Sequence, residues 1–212
     1  MANKTIAIVD INSFHKQNIE TLLFASILEK KVNKLSVLDL NHYEQDKLLP
    51  SRDKWQKEGE ILTTRLFSNT SYQICAQTSL EQNKLLNLAK ALKAISDILV
   101  INANSLQYNF NTDFYLLADE IVLFADLEKD IMKNIMNFFL RHTLKNKKIH
   151  LIIHNYQLNI QSEKVYLHLV KQFKKPNITI SNIDKIPDFK TLGDLENIDP
   201  WLEIYKKINS AF

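Results

Sequence analysis

The residues able to do chemistry gather where apolar runs end. Thr5–Asp10 is a short apolar run closed by Asp10, and Leu35–Leu40 (LSVLDL) is a second, with Asp39 near its C-terminal end. Acids at the ends of parallel strands are placed to hold a metal ion or to accept a phosphoryl group. Between the first run and a helical spacing (Ile19, Leu22, Leu23, Ala25, Ile27) lies the loop Ile11-Asn12-Ser13-Phe14-His15-Lys16-Gln17-Asn18. A loop entering a helix N-terminus suits an anion, because unpaired N–H groups and the helix dipole converge there. His15 and Lys16 would add cationic charge. The loop has no glycine, however, and the chain has only two, Gly59 and Gly193. A backbone cradle for phosphate needs several close together.

The remaining candidates have plainer readings beside the functional ones. Asp39 also reads as a structural strand-end carboxylate. His150 and His154 lie four apart in a predicted strand and so share a face, but the sequence suggests no third metal ligand near them. Cys75 on a predicted strand reads as a small buried hydrophobe. No metal site, catalytic residue or cofactor is expected.

The bulk properties bound the class. A chain of 212 residues, 45% hydrophobic and 24% charged, suits one α/β domain over residues 1–212. No run of ~18 apolar residues and no signal-peptide core are present, and Cys75 is the lone cysteine, so a cytoplasmic setting is expected. A net charge of +3 does not argue for nucleic acid. Basic residues cluster in Arg141–Lys148 (RHTLKNKK) and Lys171–Lys175, which read as solvated helix ends or as an interaction surface through Arg141, Lys145, Lys147 and Lys148.

The elements that must position these residues alternate. A helix over about 17–31 follows the first strand. A helix is then predicted through Trp55, Ile61, Leu62, Leu66 and Phe67, a strand over Tyr72–Gln77 and a helix over Leu80–Ser96. Strands at Ile98–Ile101, Glu120–Phe124 and Ile149–His154 come next, with a helix over Asp126–Lys145 between the last two. A helix over Glu163–Lys174, a short strand at Ile178–Ile180 and a final helix opened by Asp199-Pro200 complete the chain. That last helix, Trp201–Phe212, is amphipathic, with Trp201 and Tyr205 on its apolar side. It reads as a closing helix or as a peripheral membrane contact. Strands alternating with helices define an α/β class with a doubly wound, mostly parallel sheet flanked by helices.

In order and spacing this pattern resembles the MinD/ParA family of P-loop ATPases over most of the chain. LSVLDLN (Leu35–Asn41) resembles the family's "VLLIDLD", SDILVIN (Ser96–Asn102) its "YDYVIID", LADEIVLF (Leu117–Phe124) its "aaDevivv", and IIHN (Ile152–Asn155) its "vvN" strand end. Ile6–Ser13 (IAIVDINS) also resembles the opening of a response-regulator receiver domain. A receiver carries its phosphorylated aspartate at the end of its third strand, later than Asp39, and has no place for the LADEIVLF unit.

The resemblance implies a nucleotide site whose chemistry this chain lacks. In the family's register the signature lysine falls on Asn12, the glycines on Ser13, Phe14 and Lys16, the phosphate-binding lysine on Gln17, and the magnesium hydroxyl on Asn18. Asp39 matches the first carboxylate of the D-x-D motif, but the second falls on Asn41 and the Walker B carboxylate on Asn102. Phosphoryl transfer rests on positioning and cationic charge, and these substitutions remove both. Neutral Asn41 and Asn102 would also relieve carboxylate repulsion in a pocket without metal. The resemblance then implies a pseudo-ATPase: a cytoplasmic scaffold or spatial regulator with a vestigial site at Asn12–Asn18, Asp39, Asn41 and Asn102. It would act through protein partners, with a homodimer across the old nucleotide face. The alternatives are an ATPase switch with an unconventional loop and a DNA-associated partition factor. Restoring the loop by Phe14→Gly with Gln17→Lys is expected to leave ATP hydrolysis at background, because Asn18 and Asn102 still fail the metal; turnover in a phosphate-release assay would refute this register.

Overall fold

The computed structural model describes residues 3–11, 19–40, 48–75, 81–103, 111–126, 131–141, 144, 147–154, 178–182 and 192. The chain runs β1 (Lys4–Asp10), α1 (Ile19–Glu29), β2 (Leu35–Asp39), a 3-10 turn (Arg52–Lys54), β3 (Gln56–Glu58), β4 (Ile61–Phe67) and β5 (Thr70–Cys75). It continues with α2 (Gln82–Ile95), β6 (Ile98–Asn102), α3 (Asn111–Leu117), β7 (Glu120–Asp126), α4 (Ile131–Arg141), β8 (Lys148–His154) and β9 (Ile178–Asn182).

All nine strands form one sheet in the order β3-β4-β5-β2-β6-β1-β7-β8-β9. From β5 to β9 every pairing is parallel, and only the β3–β4 and β4–β5 pairings are antiparallel. The expected doubly wound, mostly parallel sheet is therefore observed. Both faces of the inner strands are covered, which explains their unbroken apolar runs. On one face α1 meets Ile6, Ile8, Val37, Val100 and Val122. On the other, Leu85, Ala89 and Leu92 of α2, Phe114 and Tyr115 of α3, and Ile135, Phe138 and Phe139 of α4 meet Ala7, Val9, Leu38, Ile101 and Leu123. Helix α1 is buried on every side from Glu20 to Leu28, with Leu48, Leu49 and Leu192 in the same cluster. A helix buried all round needs no polar face, and its sequence (IETLLFASILE) has almost none.

The helix predicted through Trp55–Phe67 is corrected: that stretch is the β3–β4 hairpin. Glu58 pairs with Ile61 across a two-residue loop, and Gly59 in that loop takes φ +59°. Tight hairpin turns require such a φ, and a glycine inside a helix costs about 1 kcal/mol relative to alanine. The β-branched Ile61, Thr63 and Thr64 favour the strand further. Helix α3 is an element the sequence pattern did not reveal. The helices predicted over Glu163–Lys174 and from Asp199 lie outside the described residues. No helix among the described residues is long and apolar enough to cross a membrane.

Acids at the N-terminal edge of the sheet lock strand entry. Asp119 accepts from the Thr5 N–H at 2.8 Å, and its own N–H donates to the Thr5 carbonyl at 2.8 Å. Asp97 accepts from the N–H groups of Asn33 and Lys34, each at 2.9 Å. Glu120 sits nearby on β7, with Lys4 of β1 at 2.8 Å, Lys148 of β8 at 3.5 Å and the His150 ring at 3.3 Å. The other His150 nitrogen meets the Thr179 hydroxyl of β9 at 2.6 Å. This network ties four adjacent strands together.

Burial pushes the Glu120 carboxyl up, but hydrogen bonds from His150 and Lys4 and the charges of Lys4 and Lys148 outweigh it and hold the pKa below its ordinary value. At Lys4, burial wins over Glu120 and the ammonium pKa is lowered. A carboxyl with a depressed folded pKa contributes stability above its unfolded pKa and loses it as pH falls through the folded value. The stability of the wild type against urea is therefore expected to fall as pH drops below about 4.5. Glu120→Gln is expected to cost about 3 kcal/mol at pH 7 and to flatten that acid slope. An unchanged slope in the variant would remove Glu120 from the network's energetics.

Candidate functional site

In open α/β sheets, ligands sit outside the C-terminal strand ends where the strand order reverses. Here the chain steps from β1 outward to β2 on one side and later to β7 on the other, with β6 inserted between β1 and β2. The exits of these strands are held by ladder bonds one residue beyond each strand. Ile11 N–H donates to Phe124 O at 2.9 Å, Leu40 N–H to Asn102 O at 3.0 Å, and Ala103 N–H to Ile8 O at 2.9 Å.

At this edge three side chains on the α1 face of the sheet meet. Asp39 ends β2 directly opposite Asn102, the last residue of β6. Tyr72 of β5 stands opposite Val37, two residues before Asp39. Period-two alternation therefore places Tyr72, Asp39 and Asn102 on one face. The Asn102 side-chain amide donates to one Asp39 oxygen at 3.1 Å, and the Tyr72 hydroxyl donates to the other. Asp39 is 1% exposed, Asn102 6% and Tyr72 0%. A carboxylate removed from water must find such donors, and bonds to a charged acceptor are the stronger kind.

Tyr72 is itself fixed from outside. Trp55 meets its ring edge-on, with centroids 6.1 Å apart, and the Trp55 indole N–H donates to Pro50 O at 2.9 Å. The segment preceding the β3–β4 hairpin thus holds the phenol against the strand-end carboxylate. Sequence reasoning missed Tyr72. The signal was a lone tyrosine in a predicted strand, but its meaning depended on β5 pairing with β2.

The other candidates are distributed as follows. Asp10 ends β1 on the same face, separated from Asp39 by β6 and Asn102. Asn12, Ser13, Phe14, His15, Lys16, Gln17, Asn18, Asn41, Lys145, Trp201 and Tyr205 lie outside the described residues, and Arg141 ends α4. Lys147 donates to Leu116 O at 2.7 Å and Ala118 O at 2.6 Å, capping the end of α3. Lys148 faces Glu120. Both lysines therefore have intramolecular work. His150 is 2% exposed and held between Glu120 and Thr179. Its sequence neighbour in the same strand, His154, pairs with Asp126 through the backbone ladder. Among the described residues no group of three or more His, Cys, Asp or Glu could hold a metal ion.

No family model matches the chain, and no curated protein matches it in sequence. Solved structures do match in shape. The ParA of pnob8 aligns with a TM-score of 0.66 at 7% identity, covering 99% of each chain. A plasmid partition protein from Borrelia burgdorferi aligns at 0.61 and 20% identity, covering 98% of this chain and 99% of that one. The MinD cell division protein of Aquifex aeolicus aligns at 0.61 and 11% identity, covering 92% and 86%. The chain has the fold of the ParA/MinD ATPases, as its motif order implied.

A magnesium–nucleotide complex is the group this fold implies, and the two described residues of its expected site, Asp39 and Asn102, do not offer it a pair of carboxylates. A magnesium ion asks for oxygen ligands with lone pairs free to point at it. Asn102 instead turns its amide N–H towards Asp39, and each Asp39 oxygen accepts one hydrogen bond, from Asn102 or from Tyr72. Such an arrangement fixes strand ends. Tyr72→Phe is expected to destabilise the protein by about 1.5–3 kcal/mol in denaturant unfolding, as for a lost bond to a buried charge. A change below about 0.5 kcal/mol would show that Tyr72 does not sustain Asp39.

Proposed function

We propose that this protein is a non-catalytic ParA/MinD-like pseudo-ATPase, a scaffold or spatial regulator that acts through protein–protein contacts. One observation supports it above the others: Asn102, at the position where the resemblance expects a metal carboxylate, donates a hydrogen bond to Asp39. The residues that would have to act in phosphoryl transfer are thereby engaged with each other. The loop sequence agrees, since Asn12–Asn18 offers neither the glycines nor the lysine and hydroxyl of the family's pattern.

In this reading the fold is kept for its surface. The similar structures include proteins described as plasmid partition and cell division proteins. The corresponding role here is to place a bacterial machine, such as a pilus, flagellum, secretion system or division apparatus, in the cytoplasm. Two copies would pair across the former nucleotide face without ATP as a gate. Lys147 and Lys148 already serve α3 and Glu120, which favours a protein partner over nucleic acid for that basic stretch.

Equilibrium titration with a fluorescent ATP analogue, with and without Mg²⁺, tests the proposal. The expected result is no binding up to about millimolar, an affinity weaker than about 4 kcal/mol. Micromolar, Mg²⁺-dependent binding would overturn it and put an ATP switch in its place.

A further inference from the structure

Two carboxylates bridged by a divalent cation and one carboxylate bonded to an amide solve the same problem. Each gives a buried strand-end carboxylate a partner: the cation cancels its charge, and the neutral amide satisfies it with a hydrogen bond. In this protein β2 and β6 run parallel in a register that sets residue 39 against residue 102 on the α1 face. The backbone there has little freedom, since Leu40 N–H is bonded to Asn102 O at 3.0 Å and Ala103 N–H to Ile8 O at 2.9 Å. The 3.1 Å separation of the Asn102 amide nitrogen and the Asp39 oxygen is therefore imposed by the sheet as much as by the side chains.

We infer that the Asn102 amide is a built-in substitute for a divalent cation, so that the β2–β6 strand ends close without metal and a carboxylate at position 102 would make the same fold metal-dependent. The inference deepens the reading above and rests on it only in taking position 102 as the metal-carboxylate position. Aspartate is close in shape to asparagine but has no N–H to give. Asn102→Asp would set a carboxylate oxygen about 3 Å from Asp39 in a water-poor site, where either a shared proton or a cation must offset the second charge, and the cation arm of the test separates the two. Oxygens from two carboxylates at one strand edge are the donor set a hard divalent cation takes. A cation that binds only the folded state then adds stability by mass action. In the wild type the amide proton supplies the positive end of that interaction, and added cation has nothing to replace.

The test is thermal unfolding of the full chain at pH 7.5, without nucleotide, in EDTA and in about 10 mM MgCl₂ or MnCl₂. Three proteins are compared: wild type, Asn102→Asp and Asn102→Leu. The wild-type Tm is expected to be the same in all conditions to within about 1 °C. Asn102→Asp is expected to lose at least about 5 °C in EDTA and to regain most of it with cation. Asn102→Leu, which lacks both the donor and the charge, is expected to lose a similar amount and regain nothing. A wild type stabilised by cation as strongly as Asn102→Asp would overturn the inference, as would Asn102→Leu with a wild-type Tm or Asn102→Asp without cation rescue. If Asn102→Asp yields no folded protein, the wild-type and Asn102→Leu arms still decide whether the amide hydrogen bond sustains Asp39 and whether the wild type is indifferent to cation. The nucleotide titration is separate: ATP binding by a cation-indifferent wild type would end the scaffold reading and leave this inference standing.

Discussion

A buried carboxylate dictates the arrangement around it. Asp39 ends β2 with almost no exposure, so folding must deliver donors to both its oxygens or leave an uncompensated charge. The donors come from the two strands that flank β2: Asn102 from β6 and Tyr72 from β5. The parallel register on both sides of β2 is thus tied to one side chain. The outer layer answers to it as well, because Trp55 and Pro50 fix Tyr72. A chain of contacts runs from the rim of the sheet to its centre without leaving the α1 face.

The opposite edge of the sheet obeys the same rule with other groups. Asp97 and Asp119 accept backbone N–H bonds at strand entries, and Glu120 is balanced by Lys4, Lys148 and His150. These acids are among the residues that give the sequence its likeness to ParA/MinD motifs. Their work is architectural, which explains why the likeness in fold survives in a chain whose loop chemistry differs. The acids near the sheet's N-terminal edge tie strand entries, while Asp39 at the C-terminal edge ties strand exits.

Much of the fold was legible in the sequence because buried parallel strands leave long apolar runs, and β1, β2, β6, β7 and β8 all announce themselves this way. The β3–β4 hairpin was misread. Its apolar residues, spaced Trp55, Ile61, Leu62, Leu66 and Phe67, match a helical face if Gly59 is ignored, and only the turn conformation resolves the ambiguity. Helix α3 is short, spanning seven residues, and offers less than two helical turns of periodicity. At the site, Asp39 could be named because it ends an apolar run, and Asn102 because the resemblance to the family falls on it. Tyr72 could not, since its role depends on β5 lying against β2, a pairing decided by tertiary packing.

The position of β1 in the sheet has a consequence for how the chain is made. Its two neighbours are β6 and β7, so Lys4 waits for Ile98 and Asp10 for Phe124. At a synthesis rate of about 10 residues per second, the first strand emerges roughly ten seconds before either partner exists. Throughout that interval β1, α1 and β2 present apolar surface with no sheet to receive it. Closing the central strands also carries the entropy of joining segments far apart in the chain. In a nascent chain both edges of β1 therefore stay unpaired until β6 and β7 have been made.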